Sequence, residues 1–275
     1  MPTPTSTAGG GHPSWFEDLT YTDDVSMQFM RALVYGPTGS GKTRFALTWP
    51  KPFVIDLDKG LLTGHHLHVP SKKIFPPKDR RDRQRVYQTI VDILVEAQGR
   101  SGPFAEGGPL VDRETIILDG YTALADALMK EILITDGLNF LDEKPQYDHW
   151  NALANRLESI TQLTTDLPFN FVATCGNKQD KDETTGAWIG LPDIIGGYRN
   201  DIGYRFDEFY YFEPRRARAS DAKSGDKDLI YEAHTAKYKI FDAKSRLDLP
   251  ATIVNPTFDF LLEKKEEALS REAPS

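Results

Sequence analysis

Gly36-Pro37-Thr38-Gly39-Ser40-Gly41-Lys42-Thr43 sets glycines, a lysine and a threonine at the spacing G-x-x-x-x-G-K-[ST], the Walker A phosphate loop. In such a loop the glycines let backbone N–H groups turn inward around phosphates. Lys42 then reaches the β and γ oxygens and the Thr43 hydroxyl holds Mg²⁺. ATP and Mg²⁺ are the cofactors that this chemistry implies.

Two carboxylate positions extend the constellation. Ile116-Ile117-Leu118-Asp119 is an apolar run ending in an acid, the Walker B pattern, which puts Asp119 near the Mg²⁺ that Thr43 would share. Hydrolysis also needs a group to orient the attacking water. Asp58, at the end of Pro52-Phe53-Val54-Ile55-Asp56-Leu57-Asp58, is placed for that role. Asp56 competes with it, and either acid could instead cap the Lys59-Gly60 turn.

These residues need elements to position them. Arg31 to Tyr35 reads as a buried strand and Lys42 to Trp49 as a helix stopped by Pro50, so the loop joins a strand to a helix N-terminus, where anions are stabilised. Pro52 to Asp58 and Thr115 to Asp119 read as the second and third buried strands, and Phe169 to Thr174 as the fourth. Helices are expected over 86–97, 121–133 and 147–167, the first carrying Val86, Ile90, Ile93, Leu94 and Ala97 at helical spacing. Continuously apolar strands separated by helices predict a parallel sheet covered on both faces. From 204 to 260 short alternating runs (Glu208 to Phe212, Leu229 to His234, Lys237 to Phe241) predict antiparallel hairpins that extend the core sheet.

The chain has 275 residues, enough for one large α/β domain. Its net charge of -8 excludes a surface coated in positive potential, so any nucleic-acid contact must come from local basic loops. The single cysteine, Cys175, rules out an intrachain disulfide and a Cys-rich zinc site, and reads as a small buried thiol. With no apolar stretch long enough for a bilayer and no signal-like N-terminus, a cytoplasmic protein without membrane partners is expected. Residues 1–27 read as a mostly disordered tail, 28–262 as the ATPase domain and 263–275 as a charged tail.

The order of Walker A, a short helix ended by Trp49-Pro50, the strand closing on Asp58, Walker B at Asp119 and a late Lys244-Ser245-Arg246 resembles the RecA-like core ATPases of phages. Within them it is similar to the phage nucleotide-binding proteins that include single-strand annealing recombinases, over roughly residues 30 to 262. The resemblance implies a RecA-like P-loop NTPase core, with a mostly parallel central sheet flanked by helices and extended by C-terminal antiparallel hairpins. It implies ATP hydrolysis stimulated by single-stranded DNA, in recombination or annealing, by a homo-oligomeric ring or filament. Asp58 falls where relatives carry a water-activating glutamate, and Thr174 or Asn177 where they carry a polar switch residue. Lys244 and Arg246, at i and i+2 on a strand, would present two cations from one face to a neighbouring subunit's γ-phosphate, as trans catalytic residues. An ordinary solvated strand edge is the alternative for that pair.

The resemblance also puts DNA on the loops after the core strands. The segment 177 to 203 carries Lys178, Lys181, Trp188, Tyr198 and Arg199, diluted by Asp180, Asp182, Glu183 and Asp193. Two other basic clusters compete, Lys72 to Arg85 and Arg215, Arg216 and Arg218. His65, His66 and His68 have no matching carboxylate or cysteine beside them and read as a loop rather than a metal site. Two other readings of function stand beside the DNA-acting ATPase. One is a P-loop phosphotransferase acting on a nucleotide or small molecule, with Arg80 to Arg85 as its lid; the other is a non-catalytic scaffold assembled by ATP.

Overall fold

Alternation within short apolar strands divides this chain into two packed layers. In the computed structural model, which describes residues 29–79, 81–82, 85–182, 184–194, 198–217 and 229–272, strand β1 (Arg31–Tyr35) sends Leu33 and Tyr35 to one face and Ala32 and Val34 to the other. Strands β2 (Pro52–Asp56), β4 (Thr115–Asp119) and β5 (Asn170–Cys175) split the same way. Both faces of these strands are apolar because both are covered.

The first face packs against α2 (Val86–Gln98), α3 (Tyr121–Thr135) and α4 (Tyr147–Thr165). The second packs against α1 (Lys42–Ala46) and α6 (Phe258–Glu272), where Trp49 lies 4.8 Å from the Phe258 ring. The remaining elements are 3₁₀ helices at Leu61–Leu67, Gly102–Phe104 and Ile202–Arg205, strands β3 (Ser71–Lys73), β6 (Asn177–Lys181), β7 (Trp188–Pro192), β8 (Glu208–Arg216), β9 (Leu229–His234) and β10 (Thr252–Val254), and the short α5 (Tyr198–Asp201).

The main sheet has eight strands in the order β10-β9-β8-β1-β5-β4-β2-β3. Strands β8, β1, β5, β4, β2 and β3 are all parallel, and β9 and β10 extend the sheet antiparallel. This is the mostly parallel, helix-flanked architecture with antiparallel extensions that the sequence predicts. Insertion of β5 between β1 and β4 spaces the phosphate loop from Asp119, and the C-terminal ends of all three strands converge on one edge.

Local details differ from expectation. The first helix keeps α geometry only to Ala46; Thr48 and Trp49 bond three residues back, tightening the turn ahead of Pro50. Strand β2 stops at Asp56, because Asp56 Oδ1 accepts the Lys59 N–H at 2.7 Å and bends the chain before Asp58. Within 177–203, where a loop is expected, Asn177–Lys181 and Trp188–Pro192 pair as the β6–β7 hairpin and Tyr198–Asp201 forms α5. Lys237 to Phe241 is a turn closed by the single bridge Tyr238–Phe241, not a strand pair. The expected tail at 1–27, Arg80, Arg83, Glu183 and Arg218 lie outside the described residues. Among the described residues no helix is long and apolar enough to cross a membrane.

Candidate active site at the phosphate loop

The loop from Gly36 to Gly41 leaves the end of β1 and is pinned from both sides. Gly36 N–H donates to Cys175 O on β5 at 3.2 Å, and a Cβ at Gly36 would stand 2.1 Å from Phe212 O on β8. Gly41 adopts φ +90, and a Cβ there would meet the Tyr231 ring at 2.7 Å. Only glycine satisfies both conditions at these points. Arg44 lies over the other part of this contact, 5.6 Å from the Tyr231 ring centre.

Lys42 spans the loop, donating from Nζ to the Gly36 and Pro37 carbonyls at 2.8 Å each. Burial lowers the pKa of its ammonium, and the nearby Asp119 and Asp58 carboxylates act in the opposite sense. Ser40 is fully buried within the turn, its N–H donating to Pro37 O at 3.3 Å. The main-chain path, the glycines and the lysine thus make a cradle of the kind that binds phosphate.

Thr43 and Asp119 meet across the sheet edge. Thr43 Oγ1 donates to Asp119 Oδ1 at 3.0 Å, and Thr174 Oγ1 donates to the same oxygen at 2.7 Å while accepting the Gly120 N–H at 3.0 Å. Asp119 Oδ2 is buried with no hydrogen-bond partner. Beside it Gly60 keeps space open, since a Cβ there would lie 3.3 Å from Asp119 Oδ2 and 3.8 Å from Thr43 Oγ1. A hard cation takes such oxygen donors, so Thr43 and Asp119 fit the Mg²⁺ assigned to them. Burial above all raises the Asp119 pKa; the Thr174 and Thr43 hydrogen bonds lower it, and the Asp58 and Asp56 charges raise it again.

Both candidate water-orienting acids reach this edge. Asp56 pairs in register with Asp119, is buried, caps the turn at Lys59 and leaves Oδ2 without a partner. Asp58 is exposed beyond the strand, its Cβ against Gly120. The capping role therefore falls to Asp56, and Asp58 is the acid presented to solvent beside Asp119. Of the two switch positions, Thr174 contacts Asp119 while Asn177 opens the β6–β7 hairpin.

Lys244 and Arg246 lie elsewhere. Lys244 forms one isolated bridge with Phe209, and Arg246 sits in a bend, so the expected strand with both side chains on one face is not formed. The reason is Glu208: this buried carboxylate accepts Ser245 Oγ at 2.5 Å and Arg246 N–H at 3.1 Å, folding the chain into a turn. Arg246 Nη1 then pairs with Asp207 at 2.8 Å, and Asp207 also holds Arg31 at 3.0 Å. Arg31 and Asp207 mark the N-terminal edge of β1 and β8, whereas the phosphate loop leaves the C-terminal edge.

Sequence reasoning missed Gly60 and Tyr231 as parts of this site. Gly60 was legible only as a turn residue, and no local signal ties Tyr231 to Gly41. The histidines add nothing to the site: His66 and His68 are exposed, and the His65 side chain lies outside the described residues. Cys175 is buried at the end of β5, and burial pushes its thiol up to about 12, which makes it inert.

The AAA domain family model, AAA_24, matches residues 28–247. The chain belongs to this family. It is thus an AAA-type P-loop ATPase, and the match spans every element from β1 to the Lys244-Ser245-Arg246 turn. No curated protein matches the chain. Among solved structures this AAA domain is similar to a KaiC-like protein from the hyperthermophilic archaeon Pyrococcus horikoshii OT3, at 9% identity over 82% of this chain and 89% of that one, with a TM-score of 0.41. It is also similar to the flagellar accessory protein FlaH from Methanocaldococcus jannaschii, at 13% identity over 82% and 84% of the two chains, with a TM-score of 0.35.

Proposed function

We propose that this AAA domain hydrolyses ATP with Mg²⁺ and couples turnover to self-assembly and to single-stranded DNA, in recombination or annealing of the phage type. The convergence of Lys42, Thr43, Asp119 and Thr174 at one sheet edge carries the ATPase reading. Lys42 and the loop N–H groups bind and orient the triphosphate, and Asp58 orients water beside Asp119. Mg²⁺, held through Thr43 and Asp119, supplies charge neutralisation at the β and γ oxygens when bound.

The position of Arg246 supports assembly. Strand β1 spans about 13 Å from its Arg31 end to its phosphate-loop end, too far for the Arg246 side chain to reach its own loop. Any catalytic contribution from Arg246 is therefore made to another copy. Exposed Lys178, Lys181 and Trp188 on the β6–β7 hairpin support the DNA reading, with Lys181 Nζ 5.6 Å from the Trp188 ring centre. The proposed contact narrows to the hairpin, because Tyr198 is hydrogen-bonded to Thr161 at 2.7 Å and Arg199 is paired with Asp180 at 2.7 Å.

ATP turnover with and without a long single strand, alongside Lys42→Ala, tests the reading. Stimulation by the strand that is lost in the variant is the expected result. Turnover indifferent to DNA of any length rejects the nucleic-acid part and leaves the ATPase.

One observation favours a second reading, phosphoryl transfer to a small acceptor. A cleft of about 780 Å³ beside β2 and β3 is lined by Asp56, Lys59, His68, Lys73 and Arg113, close to the Asp119 edge. A screen of nucleosides and nucleotides for phosphorylated product distinguishes it from hydrolysis.

A further inference from the structure

Strands β8 and β9 bring three metal-ligating side chains together at a place that the ATPase chemistry does not use. The antiparallel register pairs Glu213 with Glu232 and Tyr211 with His234, so Glu213, Glu232 and His234 share the sheet face that carries Tyr211. One donor atom from each lies within 4.8 Å of the other two. His234 is the deciding residue. Its side chain is 2% exposed, and its Nε2 faces Glu213 Oε1 at 3.6 Å, outside hydrogen-bond distance. A buried ring nitrogen that faces a carboxylate beyond hydrogen-bond distance leaves room between the two for another atom.

The ring is also held as ligating imidazoles are held. Its other nitrogen, Nδ1, lies 3.1 Å from Thr252 Oγ1 on β10, and Tyr238 stacks on it at 3.6 Å in nearly parallel planes. A hydrogen bond on one nitrogen fixes the tautomer that turns the other toward a metal. The two carboxylates are braced by cations, Glu213 by Lys239 Nζ at 3.6 Å and Glu232 by Arg215 Nε. Each has one oxygen so engaged, and a carboxylate has a second to offer.

We propose that Glu213, Glu232 and His234 form a site for a borderline divalent cation of the zinc type. One imidazole nitrogen and two carboxylate oxygens suit Zn²⁺ and leave a fourth position for water, whereas Mg²⁺ and Ca²⁺ take shells of oxygen. The ion clamps β9 to β8. These strands carry Tyr231 beneath Gly41 and Phe212 O against Gly36, so the clamp stiffens the wall behind the phosphate loop.

The test is titration of metal-stripped, nucleotide-free protein with Co²⁺ and then Zn²⁺, comparing wild type with Glu213→Gln, Glu232→Gln and Asp119→Asn. The expected result is one Co²⁺ per chain with the visible absorption of a low-coordinate site, displaced by Zn²⁺, and a melting temperature raised by Zn²⁺. Each glutamine variant should bind at least about tenfold more weakly, and Asp119→Asn should bind as wild type does. Absence of the absorption in wild type overturns the site. So does absorption unchanged in both glutamine variants, which would move the ion to the exposed His66 and His68. Both glutamates are partly exposed, and far-ultraviolet circular dichroism verifies each variant's fold; should one fail to fold, the other decides the question.

Discussion

Thr174 on β5 and Thr43 on α1 donate to the same oxygen of Asp119, at 2.7 and 3.0 Å. Thr174 therefore fixes the carboxylate from the protein side while Thr43 links it to the phosphate loop. Thr174→Val keeps the β-branched shape but removes both the donor to Asp119 and the acceptor for Gly120 N–H. A loss of about 1–3 kcal/mol in urea unfolding is expected, because a buried N–H is left unpaired. Turnover should fall about tenfold or more with ATP affinity nearly unchanged; equal turnover would reduce Thr174 to a packing residue.

Asp119 trades stability for chemistry. Burial raises its pKa, so the unfolded chain gives up this proton at lower pH than the folded one does. The stability it contributes is present below the ordinary carboxylate range and is lost as pH rises through the folded pKa. Asp119→Asn should therefore melt higher than wild type at neutral pH without nucleotide, with the difference shrinking on acidification, while ATP hydrolysis is abolished. Calorimetry at a series of pH values checks the sign; a variant that melts lower at neutral pH contradicts it.

Lys42→Ala removes the ammonium that bridges the Gly36 and Pro37 carbonyls. Gly36 is buried and Pro37 half-buried, so leaving their carbonyls short of a donor should cost about 1–3 kcal/mol of stability without unfolding the chain. Nucleotide turnover should drop to background. Circular dichroism melting and a phosphate-release assay separate the two effects.

Arg246→Ala breaks an ion pair with Asp207 whose arginine side is 60% exposed, so stability should change by at most about 1 kcal/mol. If the arginine acts on a neighbour, hydrolysis falls by about three orders of magnitude while nucleotide binding persists. Mixing Arg246→Ala with Lys42→Ala then restores activity, since one copy supplies the loop and the other the arginine. A mixture as inactive as its parts, from a variant with normal assembly, would argue against action in trans.

Trp188 is 56% exposed on the β6–β7 hairpin, and removing it should leave the fold intact. Base stacking on one aromatic is worth about 1–3 kcal/mol, so Trp188→Ala should weaken single-strand binding by roughly 5- to 150-fold. Fluorescence anisotropy with a labelled strand measures it. Unchanged affinity would move the DNA site away from the hairpin.

How far the chain could be read in advance follows from what each signal encodes. Strands β1 and β4 fall at the expected residues because continuous apolar runs bounded by turns are local signals. The phosphate loop is equally local: glycines at fixed offsets between a strand and a helix can be recognised without knowing what surrounds them. The same locality misled at 244–246. Lys-x-Arg reads as two cations on a strand, but Glu208 captures Ser245 and the Arg246 N–H and turns the chain. Likewise, the glycines and charges of 177–203 read as a loop, although Asn177–Lys181 pairs with Trp188–Pro192 as two strands.

The sequence by itself determined the phosphate loop, the Walker B acid, the α/β layering and the exclusion of an intrachain disulfide, since each rests on residue type and short-range spacing. Only the tertiary structure decided that Thr174 grips Asp119, that Tyr231 lies beneath Gly41, that Arg246 sits at the sheet edge away from its own loop, and that Glu213, Glu232 and His234 converge. Most of those contacts join residues about twenty to two hundred positions apart. Strand order and register set them, and these are fixed by how all the buried faces pack at once rather than by any one segment's pattern.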